Sequence, residues 1–147
     1  MNISDLLKDP NKAKKVLEKA IEDKNKEAAE MLIPIVNDPE LTCEYAEKVA
    51  KGKIKDEFED IIAQDSKFSF FYSSYVLKDR FIKGEDVIAK NSWYSFWYAK
   101  DVLKDRFIKG EDTIINFDYF WDYIDFLKKI NKLNEFLKDH PEVKDKL

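Results

Sequence analysis

The segment VLKDRFIKGED at residues 76–86 returns unchanged at residues 102–112, starting 26 residues later. Repetition of this kind decides the fold before any local propensity is weighed. Extending the alignment outward gives DSKFSFFYSSYVLKDRFIKGEDVIAK over residues 65–90 and NSWYSFWYAKDVLKDRFIKGEDTIIN over residues 91–116, two units that abut without a linker. Upstream, residues 38–64 (DPELTCEYAEKVAKGKIKDEFEDIIAQ) keep the opening Asp, Tyr45 against Tyr72 and Tyr98, Val49 against Val76 and Val102, and the closing Glu59-Asp60. They form the same unit with one residue inserted. Residues 1–37 and 117–147 retain little of the pattern, as expected of terminal units that must present one face to water.

Each unit reads as one long and one short helix. Asp9, Asp38, Asp65 and Asn91 can accept hydrogen bonds from the free N–H groups of a helix start, and Pro10, Pro39, Ser66 and Ser92 suit the first turn. Phe68, Tyr72, Tyr75 and Val76 fall at the spacing of one buried stripe, with Phe70, Leu77 and Phe81 on an adjoining one. Gly84 and Gly110 are expected to leave the long helix in a left-handed conformation, and Glu85-Asp86 and Glu111-Asp112 to open the short one. The expected fold is all-α: a single domain, residues 1–147, forming a short α-solenoid. Its amino-terminal cap is 1–37, its repeats are 38–64, 65–90 and 91–116, and its carboxy-terminal cap is 117–147.

The pattern YA-x-x-V-L-K-x-R-F-x-x-G-E-D-x-I-A, present as YSSYVLKDRFIKGEDVIA and YAKDVLKDRFIKGEDTII, resembles tandem repeats in uncharacterised proteins of tailed bacteriophages and large DNA viruses. The resemblance covers residues 38–116. The first unit departs from it, with Gly52-Lys53 where Asp79-Arg80 stand and no glycine before Glu59. The resemblance implies a viral origin and, through it, a small protein that binds and disables a host defence, such as a CRISPR effector. It carries no catalytic residues over.

Composition narrows the function further. The chain is 44% hydrophobic and 38% charged with only three glycines and four prolines, which suits a compact helical protein. Its net charge of −4 is concentrated in residues 1–64, where fifteen acids face eleven lysines. That is the wrong sign for a protein living on phosphate contacts and too mild for a nucleic-acid mimic. No apolar run approaches the roughly 20 residues of a membrane span. The start, MNISDLLKDP, lacks a secretory pattern, and Cys43 has no disulfide partner, so a cytoplasmic setting is expected.

Catalytic chemistry finds no foothold. His140 and Cys43 are single and far apart, Gly52, Gly84 and Gly110 are isolated, and the paired acids of the repeat read as helix-start residues rather than metal ligands. His140, before Pro141, reads as a solvated helix-end residue. No enzyme activity, cofactor or metal is expected.

Two features point to binding. Arg80 and Arg106, the only arginines beside twenty-four lysines, share one place in the repeat. They either form an inter-repeat ladder with Asp79, Asp105, Glu85 or Glu111, or line a groove that grips an acidic or phosphate-bearing partner. Eighteen of the twenty-one aromatic residues lie in residues 68–126. Phe71 and Trp97 occupy a position where the first unit has Glu44, and Trp93 one where the second has Lys67, so these three are expected to be accessible. Together the five residues form the expected partner-binding face, unless the carboxy-terminal cap covers it. Another protein is the expected partner. Nucleic-acid or nucleotide binding by the same arginines and rings is the alternative.

Overall fold

Side-chain caps set the helix starts. In the computed structural model, which describes residues 2–147, Asn2, Asp9, Asn25, Asp38, Asp65 and Asn91 each accept a hydrogen bond from a backbone N–H two or three residues on. Helix is the only regular structure of the described residues, with no strand among them. Helices α1 (Ile3–Lys8), α2 (Pro10–Glu22) and α3 (Lys26–Val36) form the amino-terminal part. Then come α4 (Pro39–Tyr45) with α5 (Asp56–Ile62), α6 (Ser66–Phe71) with α7 (Glu85–Ile88), and α8 (Ser92–Trp97) with α9 (Glu111–Asn116). The chain closes with α10 (Phe120–Lys129), α11 (Leu133–Asp139) and a 3-10 turn, Pro141–Lys146.

Within each unit the long helix changes pitch. α4, α6 and α8 pass directly into π-helical turns at Ala46–Ala50, Tyr72–Leu77 and Tyr98–Leu103. The wider turn rotates everything after the tyrosine, so Tyr75, expected on the buried stripe, is 66% exposed. Its counterparts Lys48 and Asp101 are polar, as that position requires. Lys51, Lys78 and Lys104 then end the turns in the left-handed region, with φ of 56°, 53° and 53°.

The glycines therefore do something other than expected. Gly84 and Gly110 have φ of −93° and −96°, which any residue adopts. They are small because a Cβ at Gly84 would stand 2.7 Å from Ser69 Cβ and 2.6 Å from Phe81 Cδ1, and Gly110 meets Ser95 and Phe107 in the same way. Ser69 and Ser95 in turn donate to the carbonyls of Ile62 and Ile88 in the preceding unit, both at 3.0 Å. The close approach brings the short helix onto the long one of its own unit while the serine ties that helix to its neighbour.

Successive units touch in chain order: α4 packs on α6, α6 on α8, and the π turns pack on one another. Lys83 reaches back to Asp60 at 2.9 Å and Lys109 to Asp86 at 3.0 Å. One apolar cluster runs from Leu6 to Phe81 and a second from Phe70 to Val143, overlapping within the second unit. No helix among the described residues is long and apolar enough to cross a membrane.

Candidate functional site: an aromatic belt over a tyrosine–glutamate ladder

Each unit junction is locked by the same three groups. The hydroxyls of Tyr45, Tyr72, Tyr98 and Tyr123 donate to Glu30, Glu59, Glu85 and Glu111 of the preceding segment, at 2.6, 2.7, 2.9 and 2.9 Å. Three of those hydroxyl oxygens also accept a backbone N–H, from Ile54, Phe81 and Phe107. A cation completes each set: Lys55 on Glu30, Lys53 on Glu59, Arg80 on Glu85 and Arg106 on Glu111. Burial, followed by the neighbouring carboxylate, pushes all four tyrosine hydroxyls well above their ordinary range, so they stay protonated as donors. Glu30 is held below the usual carboxylate range by the hydrogen bond from Tyr45 and then by Lys55. Glu59, Glu85 and Glu111 are buried.

This settles where the two arginines go. Arg80 forks onto both oxygens of Glu85, and Arg106 pairs with Glu111 and also with Asp139 of α11 at 2.8 Å. Their side chains are 55% and 7% exposed, because α11 covers only the second. Arg106 is thus withdrawn from the expected binding face, and the two forks do not line a groove together. His140 is likewise no solvated helix end: its Nε2 lies 2.9 Å from Glu111 Oε2, with its ring against Phe136. The repeated Glu85 and Glu111 hold arginine and tyrosine, which accounts for their place in the unit without a metal.

The three aromatic candidates do come together. Ring centroids link Tyr75 to Phe71 (5.6 Å), Phe71 to Phe70 (5.9 Å), Phe70 to Trp93 (5.7 Å) and Trp93 to Trp97 (6.0 Å). The chain of rings continues through Phe96 to Tyr119, stacked at 5.7 Å. Phe70 and Phe96 are the buried floor; Phe71 and Trp97 are half-buried, and Trp93 is 38% exposed. Lys67 stands over Phe68 and Phe71, and Lys100 lies 4.9 Å over Trp97. The indole nitrogen of Trp97 is buried without an acceptor. The belt crosses from the second unit to the carboxy-terminal segment, which covers Phe96 through Tyr119 and leaves Trp93 open.

The ladder itself was missed in sequence. Its signal was a separation held between the repeats: Glu59 and Glu85 each precede their tyrosine by 13 residues, against 12 for Glu111 and 15 for Glu30 at the ends. In comparison with protein families, curated proteins and solved structures, nothing matches this chain.

Proposed function

We propose that the chain is a non-enzymatic helical repeat module, its units stacked as a short solenoid, that binds another protein through the belt of Phe71, Trp93 and Trp97. The observation that carries this reading is the continuity of the belt across two units, with Trp93 and Tyr75 exposed at its surface. Aromatic side chains fixed by their neighbours lose little freedom on binding and dominate interface energetics. Arg80, the arginine left half open, remains available to an acidic group of the partner. The likeness of the repeat to viral repeat proteins extends the proposal to a cytoplasmic, phage-encoded inhibitor of a bacterial defence system, of the anti-CRISPR kind.

Lysines already poised over Phe71 and Trp97 favour one rival, in which bases of a single strand stack on the belt. Capture from bacterial lysate, with and without nuclease, separates the two. The proposal expects a protein retained after nuclease by the native chain and lost by Trp93→Glu, a change at an exposed position where the second unit already has Lys67. Capture abolished by nuclease supports the rival, and capture indifferent to Trp93→Glu removes the belt from the account.

A further inference from the structure

The junction between the first two units has an opening. Where the second unit carries Phe70 and Phe71, the first has Cys43 and Glu44. Phe70 fills its own junction against Trp93 and Tyr94, at 5.7 and 5.6 Å. Cys43 is too small to do so, and a groove of about 510 Å³ remains over Cys43, Phe68, Phe71 and Val76. It adjoins a shallower one of about 310 Å³ that shares Glu47, Tyr75 and Val76. Burial pushes the Cys43 thiol up to about 12, so it is a neutral part of an apolar floor.

Charge is sorted along this groove. Glu40, Glu44 and Glu47, spaced at four and three residues on one face of α4 and its π turn, line its larger part. Lys51 and Lys78, the left-handed corner residues of two successive units, line the other end. Lys48 is engaged with Glu44 at 2.7 Å and Lys67 stands over Phe68 and Phe71, so the three acids still outnumber the lysines at this end. The flanking helical segment, residues 39–50, is roughly 18 Å long at 1.5 Å per residue.

Resting on the reading of the chain as a protein binder, we propose that this groove docks an amphipathic α-helix of the partner, about three turns long, with one end basic and the other acidic. Its apolar stripe covers Phe68, Phe71 and Val76, its basic end meets Glu40, Glu44 and Glu47, and its acidic end meets Lys51 and Lys78. Helix-in-groove recognition of this kind takes its anchors from residues three and four apart, and the bipolar rim selects against helices of a single charge.

Three fluorescent, end-capped 14-residue peptides with the same leucine stripe test it: one bipolar, one with lysine throughout the polar face, one with glutamate throughout. Anisotropy titration is expected to show the bipolar peptide binding at least about tenfold tighter than either other. Equal binding of the all-lysine peptide would overturn the proposal, since Lys51 and Lys78 would then play no part. Cys43→Phe, which copies Phe70 and fills the groove, is expected to abolish binding. Glu47→Lys, on the exposed rim, is expected to weaken it even if Cys43→Phe fails to fold, and unchanged binding by Glu47→Lys contradicts the proposed rim. Trp93→Glu lies outside the groove and should leave peptide binding intact. If no peptide binds while the lysate partner is still captured in a Trp93-dependent way, the groove inference falls and the belt stands.

Discussion

Glu85 and Glu111 occupy identical segments and hold the same two kinds of partner, yet their surroundings differ by one helix. Arg80, beside Glu85, is 55% exposed, whereas Arg106, beside Glu111, is 7% exposed beneath α11. Glu85→Gln leaves an arginine that water can solvate, and the cost should stay near about 1–2 kcal/mol, the loss of charged hydrogen bonds. Glu111→Gln leaves the covered guanidinium with Asp139 alone and takes the carboxylate from the ring of His140, for which a larger cost of about 2–3 kcal/mol is expected. Urea denaturation of the two variants checks the difference, and equal costs would mean that α11 does not cover the last rung. At this scale the repeat made the residues legible and left the arginine partners among four acids; Arg80 and Arg106 take Glu85 and Glu111, five residues on and within their own unit rather than between repeats. That Tyr98 also ends on Glu85 depends on one unit lying against the next. His140 was misread because its partner, Glu111, lies 29 residues away. Trp97 was only half legible: Glu44 at the same place implies access, but Glu44 borders an open groove while Trp97 is hemmed in by Trp93 and Phe96.

The helices of the repeats opened at their caps, as the sequence places them, and ended where it does not. Asp9, Asp38, Asp65 and Asn91 all cap helices, because a cap needs only the chain within three residues of it. Helix ends depend on what the chain must avoid. Glycine is the usual left-handed residue, so Gly84 and Gly110 were expected to turn the chain; lysines take that conformation instead, six residues earlier, once the π turn is complete. Two substitutions expose the exchange of roles. Lys78→Gly relieves a left-handed side-chain residue and should be neutral to stabilising, by up to about 1 kcal/mol. Gly84→Ala pushes a methyl into Ser69 and Phe81 and should cost about 1–3 kcal/mol as overpacking. Thermal melts of both check this, and a tolerated Gly84→Ala would show that the short helix can back away from the long one.

Across the whole molecule the same contacts recur at each junction: a tyrosine on the carboxylate of the segment before it, and between repeats a serine on the preceding short helix. The helical class followed from periodicity and caps, whereas the open groove at the first junction did not, since it arises from Cys43 and Glu44 being smaller than their aromatic counterparts. If the units stack in chain order, any one of them is removable provided the junction left behind can re-form. Deleting residues 65–90 brings the third unit onto the first, with Tyr98 placed to reach Glu59 and Ser95 to reach the Ile62 carbonyl. Stability in such an array is a sum over units and their interfaces. Circular dichroism with urea denaturation of this deletion variant is the most direct test: stacking requires a helical chain that unfolds in one cooperative transition at a lower midpoint. A chain without helical signal or without a transition would show that the units depend on contacts beyond their neighbours, and the stacked account would be wrong.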